Sequence, residues 1–211
     1  MTSRGERNKA SVPREFTARR AVTNDTDLVT SIISLAFESD PVWGRALELP
    51  DGRTTHHSAF WRLCIEGALR YPWTWLAGDG EATSVWIPPG GTEMTPEQEA
   101  SLADLAKEIL GPASEKYLEL LERFSAAHPH TEPHFYLSLL GTHPKHRGRG
   151  IGMRLLARNL VLIDSLHMPA YLESTNPANN DRYASVGFEA MDQFSYPGGA
   201  PTVTTMWRSA R

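Results

Sequence analysis

The residues best suited to chemistry form a basic, glycine-rich segment, 143–152, with the sequence His-Pro-Lys-His-Arg-Gly-Arg-Gly-Ile-Gly. An apolar run at 135–140 precedes this segment, and a stretch with helical periodicity at 153–166 follows it. The order predicts a strand, a tight turn and a helix. A turn that opens a helix directs free backbone N–H groups and the positive end of the helix dipole at one point. Such a point suits a phosphate or a pyrophosphate.

The composition of the turn also favours an anion. Gly148, Gly150 and Gly152 lack the Cβ atoms that would keep a ligand away from the main chain. No acidic residue follows the turn before Asp164, and basic side chains add positive charge: Lys145, Arg147, Arg149, Arg154 and Arg158. We therefore interpret the segment as an anion-binding turn.

Three glycine motifs compete for this turn. A Walker loop is excluded because no Lys-Ser or Lys-Thr follows the glycines. The dinucleotide fingerprint Gly-x-Gly-x-x-Gly lacks its third glycine, but Glu173 lies about twenty residues downstream, where that motif places an acid, so this alternative stays open. The third motif, Arg/Gln-x-x-Gly-x-Gly/Ala, is matched by Arg147, Gly150 and Gly152.

The third motif resembles the pyrophosphate turn of the GNAT acyltransferase superfamily, and the resemblance continues downstream. A candidate strand at 169–175 leads into Asn-x-x-Asn and then Tyr-x-x-x-Gly-Phe, the order found in the cofactor half of a GNAT domain. The matching residues are Asn176, Asn179, Tyr183, Gly187 and Phe188. The resemblance covers about residues 134–190 and is looser in the first half of the chain. Within the superfamily, the chain is loosely similar to the puromycin N-acetyltransferase type.

The resemblance implies an α+β fold (a three-layer α/β arrangement) in which helices flank a mixed central β-sheet. We expect a frayed arm at 1–14 and a single domain at 15–211, with a helical insertion at about 93–128 before the central strand. Local patterns agree with this organisation. They predict a hairpin with strands at 73–76 and 82–87, two helices at 96–110 and 115–127, and a helix break at Asp40-Pro41.

The resemblance also implies acetyl-CoA as the co-substrate and a set of residues that hold it. The main chain at the end of the central strand would lie along the pantetheine arm, with an N–H near Leu140 facing the thioester carbonyl. The cofactor-binding residues carried over are Leu140, Thr142, Arg147, Gly148, Arg149, Gly150, Ile151, Gly152, Asn176, Asn179 and Tyr183.

Two residues are candidates for catalysis. Tyr183 matches the tyrosine that protonates the departing sulfur in many GNAT enzymes, and a phenol with a pKa of about 10 stays protonated at neutral pH. Its alternative role is packing under the Gly187-Phe188 turn. Glu173 could act as the general base or could bond neighbouring strands. His134, at the head of the central strand, is a second candidate for the base.

Trp43, Trp86 and His134 are the candidates for contact with the acceptor. Trp43 follows the predicted helix break and Trp86 closes the hairpin, both places where GNAT acceptors dock. Tryptophans are more often core residues than binding residues. An aromatic pocket would favour a flat or apolar amine over a polycationic aminoglycoside.

Composition limits the other classes of function. The formal net charge of -4 argues against general binding of nucleic acid. The single cysteine, Cys64, excludes an intrachain disulfide framework, and no apolar run reaches the length of a membrane span. We expect a cytoplasmic protein with no membrane or nucleic-acid partner, and family habit implies a homodimer. No metal is expected, because Pro129, Pro133 and Pro144 interrupt the cluster of histidines at 128–146 and prevent a shared face.

The sequence thus favours an N-acetyltransferase in which a small-molecule amine attacks acetyl-CoA directly. Two alternatives remain: an acetyltransferase for protein lysines or N-terminal amines, and a GNAT-like module that binds CoA without turnover.

Overall fold

The computed structural model describes residues 16–211, so the arm predicted at 1–14 lies outside the described residues. Helices flank a seven-stranded mixed sheet with the order β1-β2-β3-β4-β5-β7-β6. The strands are β1 Ala18–Arg20, β2 Thr74–Ala77, β3 Ala82–Ile87, β4 Phe135–Thr142, β5 Ala170–Ser174, β6 Glu189–Tyr196 and β7 Gly199–Arg208. The helices are α1 Thr26–Phe37, α2 Trp43–Ala46, α3 His57–Ala68, α4 Pro96–Leu110, α5 Ser114–Ala127, α6 Ile151–Asp164 and α7 Asn180–Ala184. The predicted α+β fold is confirmed.

The central strands β4 and β5 diverge from each other. They run parallel, with α6 as the crossover between them, whereas the other neighbouring strands of the described sheet pair antiparallel. Within residues 16–211, their ladder joins only Phe135 to Ala170 and Tyr136 to Tyr171. A cleft therefore opens between the carboxyl-terminal parts of the two strands, at the end of the sheet that leads to the glycine turn.

A β-bulge in β4 changes the direction of its side chains. Val85 of β3 lies opposite Leu139 while Trp86 lies opposite Leu137, which leaves Ser138 as the extra residue. Bulges of this kind re-aim side chains, often beside functional sites. Leu137 packs in one hydrophobic core and Leu139 in the other.

The two cores lie on opposite faces of the sheet, as the alternation in β2 shows. Leu76 packs in the first core, with α1, α3, α4 and α5, whereas Trp75 and Ala77 pack in the second, with α6. The two helices between β3 and β4 are therefore part of the main packing unit. Among residues 16–211, the longest helices are too short or too polar to cross a bilayer.

The helices of the predicted insertion begin where their capping residues place them. The Thr95 side chain accepts a hydrogen bond from the Gln98 N–H, and Gln98 bonds back to the Thr95 N–H, which forms a capping box ahead of Pro96. Gly67 of α3 then lets the preceding segment approach closely, because a Cβ at Gly67 would collide with the Glu93 carbonyl oxygen. This contact brings Glu93 against the sheet.

Candidate functional site

The glycine turn has the conformation that an anion site requires. Gly148 and Gly150 have φ angles of 76° and 70°, in the left-handed region that glycine adopts without strain. Gly150 is the N-cap of α6, so the first N–H groups of that helix lack intrahelical partners. A Cβ at either glycine would meet no atom of residues 16–211 within 4 Å. The space over the turn is therefore open to a ligand.

Gly152 also has a packing role that the sequence did not indicate. A Cβ there would lie 2.6 Å from Oγ1 of Thr142, well inside van der Waals contact. The third glycine therefore allows α6 to pack against the end of β4, whereas the space over Gly148 and Gly150 is open.

The arginines of the turn bond to the protein itself. Arg147 donates to the Ala36 carbonyl oxygen at 2.9 Å, which fastens the turn to the last residues of α1. Arg149 lies 2.9 Å from Nδ1 of His146 and 3.7 Å from the Glu81 carboxylate, and it does not line the adjacent cavity. Main-chain N–H groups are thus better placed than the guanidinium groups to contact a pyrophosphate.

A cavity of about 670 Å³ begins at this turn and continues through the cleft between β4 and β5 into the space beneath α1 and α5. It brings together most of the residues that the sequence singled out. These are Trp43, Leu140, Thr142, Arg147, Gly148, Gly150, Ile151, Gly152, Glu173, Asn176, Asn179 and Tyr183. One continuous space therefore links the anion-binding turn to the candidate catalytic residues.

Tyr183 contacts this cavity from α7. Burial raises the pKa of its phenol to about 12, and the nearby Asp40 carboxyl adds to the shift. The phenol therefore keeps its proton at neutral pH and can donate it. The ring also packs against Phe188 at 6.3 Å between centroids, so the packing role and the donor role are compatible.

Asp40 joins two walls of the cavity and was not foreseen as a site residue. Its Oδ1 accepts hydrogen bonds from the N–H groups of Val42 and Trp43, both at 3.0 Å, where the short helix α2 begins. Its Oδ2 accepts from Oγ1 of Thr175 at 2.7 Å, just beyond β5. Desolvation raises the pKa of the Asp40 carboxyl. The sequence signal was present, because an aspartate ahead of a turn is a common cap, but it was interpreted only as a helix break.

The two asparagines have different partners. Asn176 Oδ1 accepts from the Ala178 N–H at 3.1 Å and so caps the turn that follows β5. Asn179 Oδ1 accepts from the Arg182 guanidinium at 3.0 Å. Both residues line the cavity, and Asn179 is the one whose side chain does not cap the local backbone.

The inner part of the cavity is aromatic. Trp43 stacks on Phe124 of α5 with 5.1 Å between ring centroids and an interplanar angle of 16°, and it meets the edge of Trp61 at 5.3 Å. Further aromatic lining comes from Phe37, Phe60, Tyr117 and Tyr136. Phe124 and Tyr117 belong to the predicted insertion, so those helices do wall the inner chamber.

Trp86 and His134 lie elsewhere, which corrects the prediction that they contact the acceptor. Trp86 is fully buried in the second core, where its indole N–H donates to Oδ1 of Asn159 at 3.1 Å. His134 is buried behind the cavity wall, and its Nδ1 lies 2.7 Å from the Glu132 carbonyl oxygen.

Two carboxyl groups lie at the inner end of the cavity. The Glu173 side chain is only 3% exposed. Glu93 accepts a hydrogen bond from the hydroxyl of Ser138, the bulged residue of β4. Burial, together with the negative charge of Glu173, raises the pKa of the Glu93 carboxyl. Sequence reasoning missed Glu93 because a contact with Gly67, distant along the chain, places it here.

Residues 16–211 contain no group of three His, Cys, Asp or Glu side chains arranged to hold a metal ion. The cavity combines the glycine turn, the phenol of Tyr183, an aromatic chamber and two buried carboxyls. A proton donor and candidate proton acceptors thus share one enclosed space.

Comparison of the whole chain with known proteins identifies its fold. The chain matches no protein-family model. It is similar to the solved structure of arylalkylamine N-acetyltransferase 2 from Aedes aegypti, with a TM-score of 0.69, 14% identity, and coverage of 94% of this chain and 100% of that chain. A histone acetyltransferase HPA2 and related acetyltransferase from Corynebacterium glutamicum gives a TM-score of 0.68 at 23% identity, with coverage of 93% of this chain and 97% of that chain.

The polyamine N-acetyltransferase of Drosophila melanogaster, an enzyme that forms N-acetylagmatine, gives a TM-score of 0.60 at 16% identity, with coverage of 92% of this chain and 100% of that chain. The likeness spans nearly the whole of each protein, although the sequences are only 14% to 23% identical. This chain therefore has the fold of the GNAT acetyltransferases.

Proposed function

We propose that this protein is an N-acetyltransferase that transfers the acetyl group of acetyl-CoA to the amine of a small molecule with an aromatic or apolar body. One observation carries the proposal. A single cavity runs from the glycine turn, past Tyr183, into a chamber with aromatic walls and carboxyl groups at its inner end. Both reactants can therefore meet beside a proton donor.

The cofactor end fits a pyrophosphate. The N-terminal N–H groups of α6 and the dipole of a 14-residue helix face the open space over Gly148 and Gly150. Beyond the turn, β4 has diverged from β5, so the main chain around Leu140 is available to bond the amide groups of a pantetheine arm. The thioester would then lie in the cleft between the two strands, beside Tyr183.

The chemistry is a direct displacement. The amine nitrogen forms a bond to the thioester carbonyl carbon, and a main-chain N–H near Leu140 stabilises the negative charge that develops on the carbonyl oxygen. The C–S bond then breaks, and the Tyr183 phenol gives its proton to the sulfur. The raised pKa of Tyr183 ensures that this proton is present at neutral pH. Glu173 is the candidate that removes a proton from the amine.

The inner chamber sets the class of acceptor. Trp43 and Phe124 offer stacked rings to an apolar or aromatic body. The acidic residues Asp40, Glu93 and Glu173 line the same cavity, whereas Arg147 lies in the glycine turn and Arg182 bonds to Asn179. Negative potential at the inner end attracts an ammonium group and disfavours a carboxylate. We therefore expect compact monoamines to react faster than polycationic amines.

The decisive experiment is a panel of amines with acetyl-CoA, in which release of free thiol is measured for wild type and Tyr183→Phe. The panel contains arylalkylamines, polyamines, aminoglycosides and lysine peptides. Loss of the proton donor should lower kcat by about 100-fold while the affinity for CoA stays within about twofold. Tyr71→Phe, which removes a phenol outside the cavity, is the matched control and should retain full kcat.

The outcomes separate the alternatives. Turnover of peptides alone would support the protein acetyltransferase. Binding of CoA without turnover of any amine would support the non-catalytic module. Absence of CoA binding by calorimetry would refute all three proposals, and equal activity of Tyr183→Phe and wild type would remove the catalytic role of the tyrosine.

A further inference from the structure

The proposed acetyl transfer, on which this inference rests, releases a proton from the acceptor amine, and this proton must leave a buried site. An ammonium acceptor R–NH₃⁺ loses two protons when it becomes the amide R–NH–CO–CH₃. One of them ends on the thiol of CoA, through Tyr183, and the other must reach solvent. The Glu173 carboxylate is the candidate for its first acceptor, but its side chain is only 3% exposed. Glu173 therefore needs a partner that reaches water.

His128 has the position that such a partner requires. It follows α5 directly, and its Nδ1 lies 3.6 Å from Oε1 of Glu173. Its side chain is 27% exposed, whereas Glu173 lies between it and the cavity. On its other side, Nε2 of His128 lies 3.2 Å from Nε2 of His134. His128 thus bridges a buried carboxylate and a second histidine while it remains in contact with solvent.

The hydrogen-bond partners determine which ring nitrogens of His128 and His134 carry a hydrogen. Nδ1 of His134 lies 2.7 Å from the Glu132 carbonyl oxygen, which can only accept, so this nitrogen carries a hydrogen. The neutral imidazole of His134 then presents a lone pair at Nε2, and Nε2 of His128 must be the donor between the two rings. Nδ1 of His128 is left as the only ring nitrogen that can exchange a proton with Glu173.

We propose that Glu173 and His128 form a proton exit path, in which Glu173 accepts a proton from the acceptor amine and passes it to Nδ1 of His128, which releases it to solvent. The N–H bond of the amine breaks as an O–H bond forms on Glu173; that bond in turn breaks as an N–H bond forms on His128. The imidazolium, which is 27% exposed, then turns about its side-chain bonds until its Nδ1–H meets water, and water takes the proton from that nitrogen. His134 is a positioning residue that holds the ring with Nδ1 towards Glu173.

The 3.6 Å separation between Nδ1 of His128 and Oε1 of Glu173 is longer than a hydrogen bond. Transfer needs a separation of about 2.8 Å, so the ring must approach by less than about 1 Å, which a small side-chain rotation provides. Catalytic contacts are commonly long in ligand-free proteins and shorten when the substrate binds.

The other groups that face this pair are compatible with the path. Burial and the nearby charge of Glu173 raise the pKa of the Tyr136 and Tyr171 phenols, so both stay neutral, and the Tyr171 hydroxyl donates to the Ala127 carbonyl oxygen at 3.3 Å. The charge of Glu173 raises the pKa of the Glu93 carboxyl, and the charge that His128 gains when its ring is protonated acts in the opposite direction.

The histidine neighbours complete this environment. Desolvation lowers the pKa of His134, which keeps that ring neutral, although the charge of Glu132 opposes the shift. His130 contacts the His128 ring at 6.0 Å and bonds to the Ser125 carbonyl oxygen instead of to the pair. His130 therefore offers a matched control in the same loop.

The test compares His128→Gln and His130→Gln in the thiol-release assay across pH, with the best amine of the panel. We expect His128→Gln to lower kcat at least about 10-fold, with a changed pH profile and with KM for acetyl-CoA within about twofold. Added imidazole should restore activity to this variant, because the position is partly exposed and the free base can take the proton from Glu173. His130→Gln should match wild type in kcat and in pH profile.

Two results would overturn the path: a wild-type pH profile in His128→Gln, or a loss of kcat that imidazole does not rescue, which would indicate a structural role. Nitrogen-15 NMR of the wild-type rings gives a readout that needs neither folding of a variant nor turnover. We expect hydrogen on Nδ1 of neutral His134; hydrogen on its Nε2 would also refute the proposal. A wild-type protein that releases no thiol with any amine refutes the proposed function, which is a different outcome from an active wild type with an inert His128.

Discussion

Replacing Gly150 with leucine tests whether the glycine turn is the site of the pyrophosphate. Gly150 is exposed, has a φ of 70°, and a Cβ there would meet no atom of residues 16–211 within 4 Å. The leucine side chain would therefore occupy the open space over the turn rather than collide with the protein. Gly90 has a φ of 74°, equally open surroundings and the same exposure, but it lies in the turn after β3. Gly90→Leu is thus the matched control.

The size of each effect follows from these geometries. A non-glycine residue in the left-handed region costs about 1–2 kcal/mol, and the reduced freedom of the unfolded chain returns about half of that. Both variants should therefore lose about 1 kcal/mol of unfolding free energy, a fall in Tm of about 2–4 °C. Loss of one or two hydrogen bonds to a charged group costs about 2–4 kcal/mol, which weakens CoA affinity by about 30- to 1,000-fold in Gly150→Leu alone.

Calorimetric titration with CoA measures the affinity, and thermal unfolding with and without CoA measures the stabilisation by the ligand. We expect similar unliganded Tm values for the two variants, with ligand-induced stabilisation retained in Gly90→Leu and lost in Gly150→Leu. If Gly150→Leu binds CoA within about twofold of wild type, the pyrophosphate does not lie on this turn. An equal loss of affinity in Gly90→Leu would show that strain, and not blockage, is the cause.

Two further predictions concern the chamber and the stability of the fold. Trp43→Leu should raise KM for the amine about 10-fold with unchanged CoA affinity, because it removes a ring that stacks in the chamber wall. Trp86→Phe should leave KM unchanged and lower the free energy of unfolding by about 1 kcal/mol, because the bond to Asn159 is lost. The reverse pattern would place the acceptor on the other face of the sheet. Asp164→Asn should lower the unfolding free energy by about 1–2 kcal/mol, because Asp164 pairs in two bonds with the buried Arg208. Arg208 holds the pKa of Asp164 below its usual range, so the stability that the carboxylate contributes is lost as the pH falls through that lowered pKa. Urea titrations should therefore show the wild-type advantage at neutral pH and its disappearance in acid; a pH-independent difference would contradict this explanation.

Local signals in the sequence account for most of the fold. The observed bounds of β3 and α4 are Ala82–Ile87 and Pro96–Leu110, those that the hairpin and amphipathic patterns predict. Each signal lies beside the element that it specifies: the turn Gly78-Asp79-Gly80 for the hairpin, and the break at Gly111-Pro112 for the end of the helix. Local sequence is therefore enough to predict the bounds of an element that begins or ends at a recognisable turn.

Which side of the sheet faces the cavity is not a local property. Alternation along β3 places Val85 and Trp86 on opposite faces, but nothing in the strand itself tells which face borders the substrate. Trp86 was therefore assigned to the wrong side. Glu93 and His128 reach the site through packing of α3 against the 93–94 segment and of α5 against the sheet, so their roles depend on contacts between distant parts of the chain.

On the proposed function, the distribution of charge along the cavity would let a protein with a formal net charge of -4 bind both a polyanion and a cation. Helix N–H groups and the Arg147 side chain contribute positive charge at the turn, whereas the carboxyl groups of Glu93 and Glu173 lie at the inner end. A cofactor and an ammonium acceptor would therefore enter in opposite orientations, and their reactive atoms would meet between the two ends. Tyr183 lies there as a neutral group, which adds no charge of its own until the thiolate forms. With this distribution of charge, the Glu173 carboxylate at the inner end is the expected first acceptor of the proton that the amine loses. An exit through an exposed histidine beside that carboxylate then avoids returning the proton past the cofactor.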